Sequence, residues 1–301
     1  MTFVLQLGAL AALSIVVPGI VVRTKSWWAG RRGAPVLQLW WDLRRLARKT
    51  PVYSEVATPV FRLAPWVSLV TAAGAAAVVP VLGVPSPVAF AGDFVWFAYL
   101  GGLGRMARVL AALDTGSPFE GMGASREASL STLVEPVVFL ALGAGVLASG
   151  ASTLSGIVQF RPDSPAGGIV WAGMLAAWVV VVQVESARMP VDDPTTHLEL
   201  TMIHEVLILD HSGPDLAAMQ LGAGIRLASG LALVAAMLAP DGWPWWAASL
   251  AQGVGIGLGA VALGTVESLV ARLRMRAIPS YLLAGGTFAV VAVLANLWVR
   301  A

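Results

Sequence analysis

Apolar residues run along this chain in long blocks separated by shorter polar segments. Uncharged windows occupy residues 1–22, 63–92, 136–160, 164–184, 242–266 and 277–299. A helix needs about 20 apolar residues to cross a hydrocarbon layer of roughly 30 Å. Two further windows, 93–113 and 216–240, qualify if Arg105 and Arg108 in the first and Arg226 in the second are tolerated. Pro80, Pro85 and Pro87 end the helix inside the 63–92 window. Irregular backbone in lipid would leave amide groups unpaired at several kcal/mol each, so the crossings must be helical. The pattern predicts eight membrane-crossing helices, approximately 1–22, 63–83, 93–113, 134–160, 164–185, 216–240, 243–266 and 277–299. The loops 23–62, 114–133, 186–215 and 267–276 then share one side. The expected fold class is an all-α integral membrane protein, one polytopic domain over residues 1–301.

Composition agrees with that class. Apolar residues make up 57% and charged residues 12%, the latter about half the usual share in globular proteins. Mean hydropathy is +0.79. The chain has no Cys, which removes disulfides, thiolate zinc sites and Cys-ligated iron–sulfur clusters. Met1–Val22 lacks a basic leader and a clear cleavage site, so it is expected to be a retained first span.

Charge then orients the bundle. Of the 19 Lys and Arg, all but Arg161, Arg226 and Arg300 fall in these four loops or at the inner end of the third span. Cytoplasmic loops carry the excess of bases, so both termini are expected outside the cytoplasm and the large loops inside. The membrane would be a bacterial or archaeal plasma membrane. Tryptophans at 243, 245 and 246 on one face, and at 27, 28, 40 and 41 on the other, suit aromatic belts. Within loop 23–62, Val36, Leu39, Trp40, Leu43, Leu46 and Ala47 recur at helical spacing, with Arg44, Arg45, Arg48 and Lys49 opposite. That is the pattern of an amphipathic helix in the membrane interface. It either anchors to lipid or docks on protein, including the acidic stretch described next.

The segment Glu185–Asp215 concentrates titratable groups. It holds seven of the 17 acids, all three histidines and one base, Arg188. Glu185 follows a wholly apolar run, and Glu135 and Glu267 lie likewise near the inner ends of other spans. Carboxylates at such depth are costly unless paired or protonated, and are candidates for proton relays. Arg105 or Arg108 is the natural partner of Glu135. Glu185 and Arg188 stand at i and i+3, so both are expected on one helix face at the inner end of the fifth span. His197, His204 and His211 recur every seven residues, near one face of a helix. The His-x3-His spacing of helical zinc sites is missing, and no metal site is expected. No phosphate-binding, dinucleotide or nucleophile motif is visible, so catalysis by this chain alone has no candidate residues. In segment 113–136, Gly and Pro mark turns up to Ala124, and Ser125 caps a helix from Arg126 onward.

Three separated motifs then carry a resemblance. E-x-x-R-x-P-V-D-x-P (Glu185–Pro194), Glu199-Leu200 and D-H-S-G (Asp210–Gly213) resemble the signature loop of the complex I subunit 1 family. L-D-T-G-S-P-F-E-G-M-G-A-S-R-E (Leu113–Glu127) and R-R-G-A-P-V-L-Q (Arg31–Gln38) are similar to the formate hydrogenlyase and hydrogenase-4 branch. The resemblance extends over essentially the whole chain. It implies a membrane subunit that binds no cofactor itself, beneath hydrogenase-like large and small subunits holding a nickel–iron centre and iron–sulfur clusters. Antiporter-like membrane subunits and the lipid bilayer are the other implied partners, with no nucleic acid. Carried over by position, Glu135, Glu185, Arg188, Asp192, Glu199 and Asp210 fall on the family's functional charged positions, and Glu267 joins them from the burial argument. The loop departs from the family at Thr195 and His197, where acids are usual. Three extra residues precede Asp210, and His211 replaces an aromatic.

Two other functions fit parts of the pattern. A quinone-reducing subunit would need a cavity between the spans and loop 186–215. A plain membrane anchor would use its acids for docking alone. A stand-alone transporter is disfavoured by the absence of detectable inverted repeats.

Overall fold

The computed structural model describes residues 2–193, 202–240 and 242–300. Among these residues the chain is all helical: α1 (Thr2–Trp28), α2 (Gln38–Leu46), α3 (Pro59–Ala77), α4 (Asp93–Asp114), α5 (Pro118–Ser149), α6 (Leu154–Val158), α7 (Pro165–Glu185), α8 (Gly213–Leu238), α9 (Trp245–Leu269) and α10 (Ile278–Arg300). Short 3₁₀ turns occupy Val206–Ile208 and Met275–Ala277. Four helices begin with a Ser or Thr followed by Pro in the first turn, at Thr58, Ser117, Ser164 and Ser212. Proline there is already set to a helical φ and lacks an N–H that would have no partner. Thr58 and Ser164 add side-chain caps, accepting from the amides of Val60 and Gly167.

Helix α8 is the axis of the bundle and packs on α1, α2, α3, α7 and α9. Helix α5 organises the other half, against α4, α7 and α10. Close approach to α8 depends on small residues. A Cβ on Gly224 would fall 2.3 Å from the Ser14 carbonyl oxygen of α1, so a larger residue would push the two helices apart. One continuous apolar core runs through α1, α5, α7, α8, α9 and α10.

Seven helices among the described residues are long and apolar enough to cross a membrane: α1, α3, α5, α7, α8, α9 and α10. This is a multi-pass membrane protein. The eighth expected crossing, 93–113, does form a helix, but α4 carries Asp93, Arg105, Arg108 and Asp114 in its 22 residues. By length and composition the number of candidate spans is therefore seven, not eight.

Two further expectations change. Segment 114–133 is not a loop followed by a helix from Arg126, because α5 begins at Pro118 and runs 32 residues to Ser149. Glycine in a helix costs roughly 1 kcal/mol, yet Gly121 and Gly123 do not break α5. A Cβ on Gly123 would lie 2.2 Å from a Val206 methyl, so this glycine seats the 3₁₀ turn of loop 186–215. At the far end, Gly150 takes a left-handed φ of 67° and stops α5 well before residue 160. Helix α2 does form where expected, but its inward face is Leu39, Leu43 and Leu46. Trp40 and Ala47, placed on that face by spacing, point outward.

Candidate functional site

Charged side chains from α1, α4, α5, α7, α8, α9 and two loops meet at one end of the bundle. Arg105 of α4 sits between two carboxylates: its guanidinium donates to Glu135 of α5 at 2.8 Å and contacts Glu185, the last residue of α7. Arg105 is 8% exposed, whereas the Glu135 side chain is 50% exposed. One turn further along α4, Arg108 donates to Ser68 Oγ at 3.3 Å and lies 3.7 Å from Glu127 of α5. Arg226 of α8 reaches the same Ser68 hydroxyl at 3.5 Å.

Glu127 leads out of the helices and into loop 186–215. Its other oxygen is 3.2 Å from His204 Nε2, and His204 Nδ1 is 3.1 Å from Asp192 Oδ2. The same Asp192 oxygen accepts the backbone amides of Ile203 and His204 at 3.2 and 3.0 Å. Its second oxygen pairs with Arg272 at 2.8 Å, from the connection between α9 and α10. Burial favours the neutral form of Asp192, but the His204 bond and charge and the Arg272 charge outweigh it, so its pKa lies below the usual carboxylate range. Burial likewise pushes the His204 imidazolium down, and Glu127 followed by Asp192 reverses it, raising its pKa above the ordinary histidine value.

A second clasp ties the α7 terminus to α1 and α9. Arg188 lies 3.4 Å from Glu267 Oε1, while Lys25 of α1 lies 3.1 Å from Glu267 Oε2 and 3.4 Å from Asp193. Glu185 and Arg188 therefore do not share a helix face. The helix ends at Glu185, Ala187 takes a positive φ of 53°, and Pro190 disfavours helix in the residue before it. This turn sends Arg188 to α9 and leaves Glu185 to Arg105.

Residues 202–212 carry no α-helix, only the 3₁₀ turn, so His204 and His211 do not share a face either. His211 is 3% exposed and stands edge-on to Phe61 with ring centroids 4.0 Å apart. Burial holds its pKa down at about 4. Asp210 is exposed, and its amide donates to the fully buried Glu120 at 3.1 Å. Thr195, His197 and Glu199 lie outside the described residues. Among the described residues, no group of three or more His, Cys, Asp and Glu is gathered as a metal would require.

The attraction expected between the basic loop 23–62 and the acidic 185–215 stretch is present at Lys25, 3.4 Å from Asp193, and among the described residues the bases of α2 do not join it. Arg45 pairs within α2 to Asp42 at 2.9 Å. Glu127, Glu120, Lys25 and Arg272 join the site without being among its sequence candidates. Glu127 had a visible signal, since it closes the Leu113–Glu127 motif immediately before the long apolar run. Lys25 and Arg272 had none, being two of many loop bases.

Two cavities open onto this network. One, of about 170 Å³, is lined by Arg108, Glu185, Arg188, His204, Glu205 and Arg226. The other, of about 70 Å³, is mainly apolar, with Phe97 and Trp178 among its walls and Arg105, Glu135 and Glu185 at its polar end. Glu185, Ser186 and Arg226 line both. Glu185 thus stands in the wall between a chamber beside the loop with several charged side chains on its wall and an apolar cleft between the helices.

Comparison with known proteins agrees with this architecture. The sequence model for NADH dehydrogenase matches residues 1–299. Formate hydrogenlyase subunit 4 of Escherichia coli (strain K12) is 30% identical over 300 residues, 96% of this chain and 95% of that one. Hydrogenase-4 component C of the same organism is 30% identical over 240 residues, 79% of this chain and 74% of that one. A chain in the structure of the membrane-bound sulfane sulfur reductase, an archaeal respiratory membrane complex, superposes with a TM-score of 0.81 at 16% identity, covering 98% of both chains, which shows a shared fold. The chain belongs to the NADH dehydrogenase family, on the complex I subunit 1-like side, as a homologue of the membrane components of formate hydrogenlyase and hydrogenase-4.

Proposed function

We propose that this chain is the membrane subunit of a multisubunit oxidoreductase of the hydrogenase or formate hydrogenlyase type. It seats a peripheral redox arm over loop 186–215 and couples electron transfer there to proton movement through its buried carboxylates. Similarity to formate hydrogenlyase subunit 4 along nearly the whole chain supports the type of assembly. In this reading α4 is the eighth crossing, the base-rich loops face the cytoplasm, and both termini lie on the other side. Hydrogenase-like large and small subunits hold the nickel–iron centre and iron–sulfur clusters, and antiporter-like subunits lie alongside in the membrane.

The position of Glu185 carries the reading. His204 and Glu185 line the same 170 Å³ chamber, which has room for several waters, each needing roughly 10–15 Å³. A proton held at the Asp192–His204–Glu127 knot reaches Glu185 through that water. The Arg105 guanidinium then holds Glu185 and Glu135 in one hydrogen-bonded unit, so a proton gained by one carboxylate weakens its pairing and strengthens the other's. Cavities of 70 and 170 Å³ fall below the roughly 300 Å³ of ordinary small-molecule sites, which favours water over a quinone.

The test is Glu185→Gln in the intact assembly. We expect the complex to assemble and transfer electrons while proton movement per electron falls at least tenfold. Unchanged proton movement would mean that the acids serve docking alone, and inhibition by quinone-site ligands would favour the quinone reading.

A further inference from the structure

Helix α2 presents a face that nothing among the described residues covers. Its inward leucines hold it along α8 rather than across the end of the bundle. Leu39 packs where a Cβ on Gly224 would lie, at 3.5 Å, and the Val36 carbonyl presses on Gly19 of α1. The backbone at Lys49–Pro51, beyond the other end of α2, lies against Gly213. Gly224 and Gly213 are eleven residues apart on α8, about 16 Å of helix at 1.5 Å per residue. The chain from Leu39 to Lys49 therefore travels antiparallel to the first half of α8, from its middle to its start.

The outward face changes character along that path. At the end beside Gly19 and Gly224 it offers Leu37, Trp40 and Trp41, which are 48%, 48% and 51% exposed. At the end near Gly213 it offers Arg44, Arg48 and Lys49, all exposed. Among the described residues no carboxylate pairs with these three bases. Apolar and cationic residues are thus segregated along the axis as well as around it. A bilayer leaflet has the same order, from acyl chains at depth to charged headgroups at the surface. Tryptophan favours the boundary between the two, and each base near an acidic lipid surface contributes about 1 kcal/mol, roughly fivefold in affinity.

We propose that this face of α2 is a binding site for acidic phospholipid, with the acyl chains against Leu37, Trp40 and Trp41 and the phosphate on Arg44, Arg48 and Lys49. The inference is independent of proton coupling, and a chain that moves no protons would still hold the lipid.

The experiment uses the full-length chain in the assembly in which it is isolated, reconstituted into nanodiscs of phosphatidylcholine. Phosphatidylglycerol or phosphatidylcholine with brominated acyl chains is then titrated in while tryptophan emission is read. Subtracting the W40F/W41F variant isolates the two rings. Brominated phosphatidylglycerol is expected to quench them at far lower mole fraction than brominated phosphatidylcholine. In R44Q/R48Q/K49Q that preference falls about 100-fold, with assembly retained because the three side chains are exposed. Equal quenching by the two lipids in the wild type overturns the proposal. So does absence of quenching together with cross-links from position 41 to another protein chain, which would make the face a subunit contact.

Discussion

His204 lies between two carboxylates, whereas His211, seven residues on, lies edge-on to Phe61 with no hydrogen-bond partner for either ring nitrogen among the described residues. Both are shielded from water, and burial acts on both in the same direction, against the cation. Its outcome differs because Glu127 and Asp192 reach His204, while the carboxylate of Asp215 is held elsewhere. Tyr53 donates to Asp215 at 2.8 Å and Trp66 at 3.2 Å. One end of the segment is therefore a charged knot tied to α5 and the α9–α10 connection. The other holds a neutral imidazole packed against Phe61 of α3. Burial alone does not determine protonation; the positions of the acids do.

Removing the acid that most distinguishes the two should have the largest effect. Glu127→Ala leaves Arg108 and His204 buried without their shared counter-charge, and breaking such a pair costs roughly 3–5 kcal/mol. Thermal unfolding in nanodiscs should show that loss, and an unaltered midpoint would mean that the knot contributes nothing to the fold.

The two histidines should also respond to pH with opposite sign. The native pKa of His211 is lowered to about 4 from about 6.5 in the unfolded chain. Its contribution is then present above pH ~6.5 and is lost as pH falls toward 4, by about 3 kcal/mol. His211→Phe should flatten that acid limb in a series of denaturation midpoints from pH 8 to 4. The native pKa of His204 is raised, so its contribution is complete below pH ~6.5 and is lost as pH rises through the native value. His204→Gln should flatten the alkaline limb and lower stability by roughly 2 kcal/mol at pH 6, the scale of lost charged hydrogen bonds. Acid and alkaline limbs moving together in one variant would break the comparison.

The smallest effect is expected at Tyr53→Phe. It removes one of the two groups holding Asp215, at about 1 kcal/mol. It also frees that carboxylate to act on His211, so the His211 titration should move upward. A His211 titration unmoved in this variant would show that Asp215 has no access to the ring.

The apolar windows predicted helices at all seven crossings because the requirement is local: enough consecutive apolar residues, with caps and prolines at the ends. The same local logic failed at Pro118–Ala124, where two glycines suggested turns. There the helix persists because Gly123 gives Val206 room, a contact 83 residues away in sequence. The acids of the site could be picked out by their depth in apolar runs, as Glu135, Glu185 and Glu267 were. Their partners could not. Arg105 was one of two equal candidates for Glu135, and the Glu185–Arg188 pairing suggested by spacing was broken by the turn at Ala187.

What the sequence determined by itself is the membrane class, the helices and the family, since composition, periodicity and ordered motifs all act within short segments of chain. Which charges meet was decided only by the tertiary structure. Ion pairs here join α4 to α5 and α7, α5 to His204, Asp192 to Arg272, and Lys25 to Glu267. Every one spans elements that the chain brings together only when the helices pack around α5 and α8. Coulomb attraction within a few ångströms depends on that packing and leaves no trace in residue spacing.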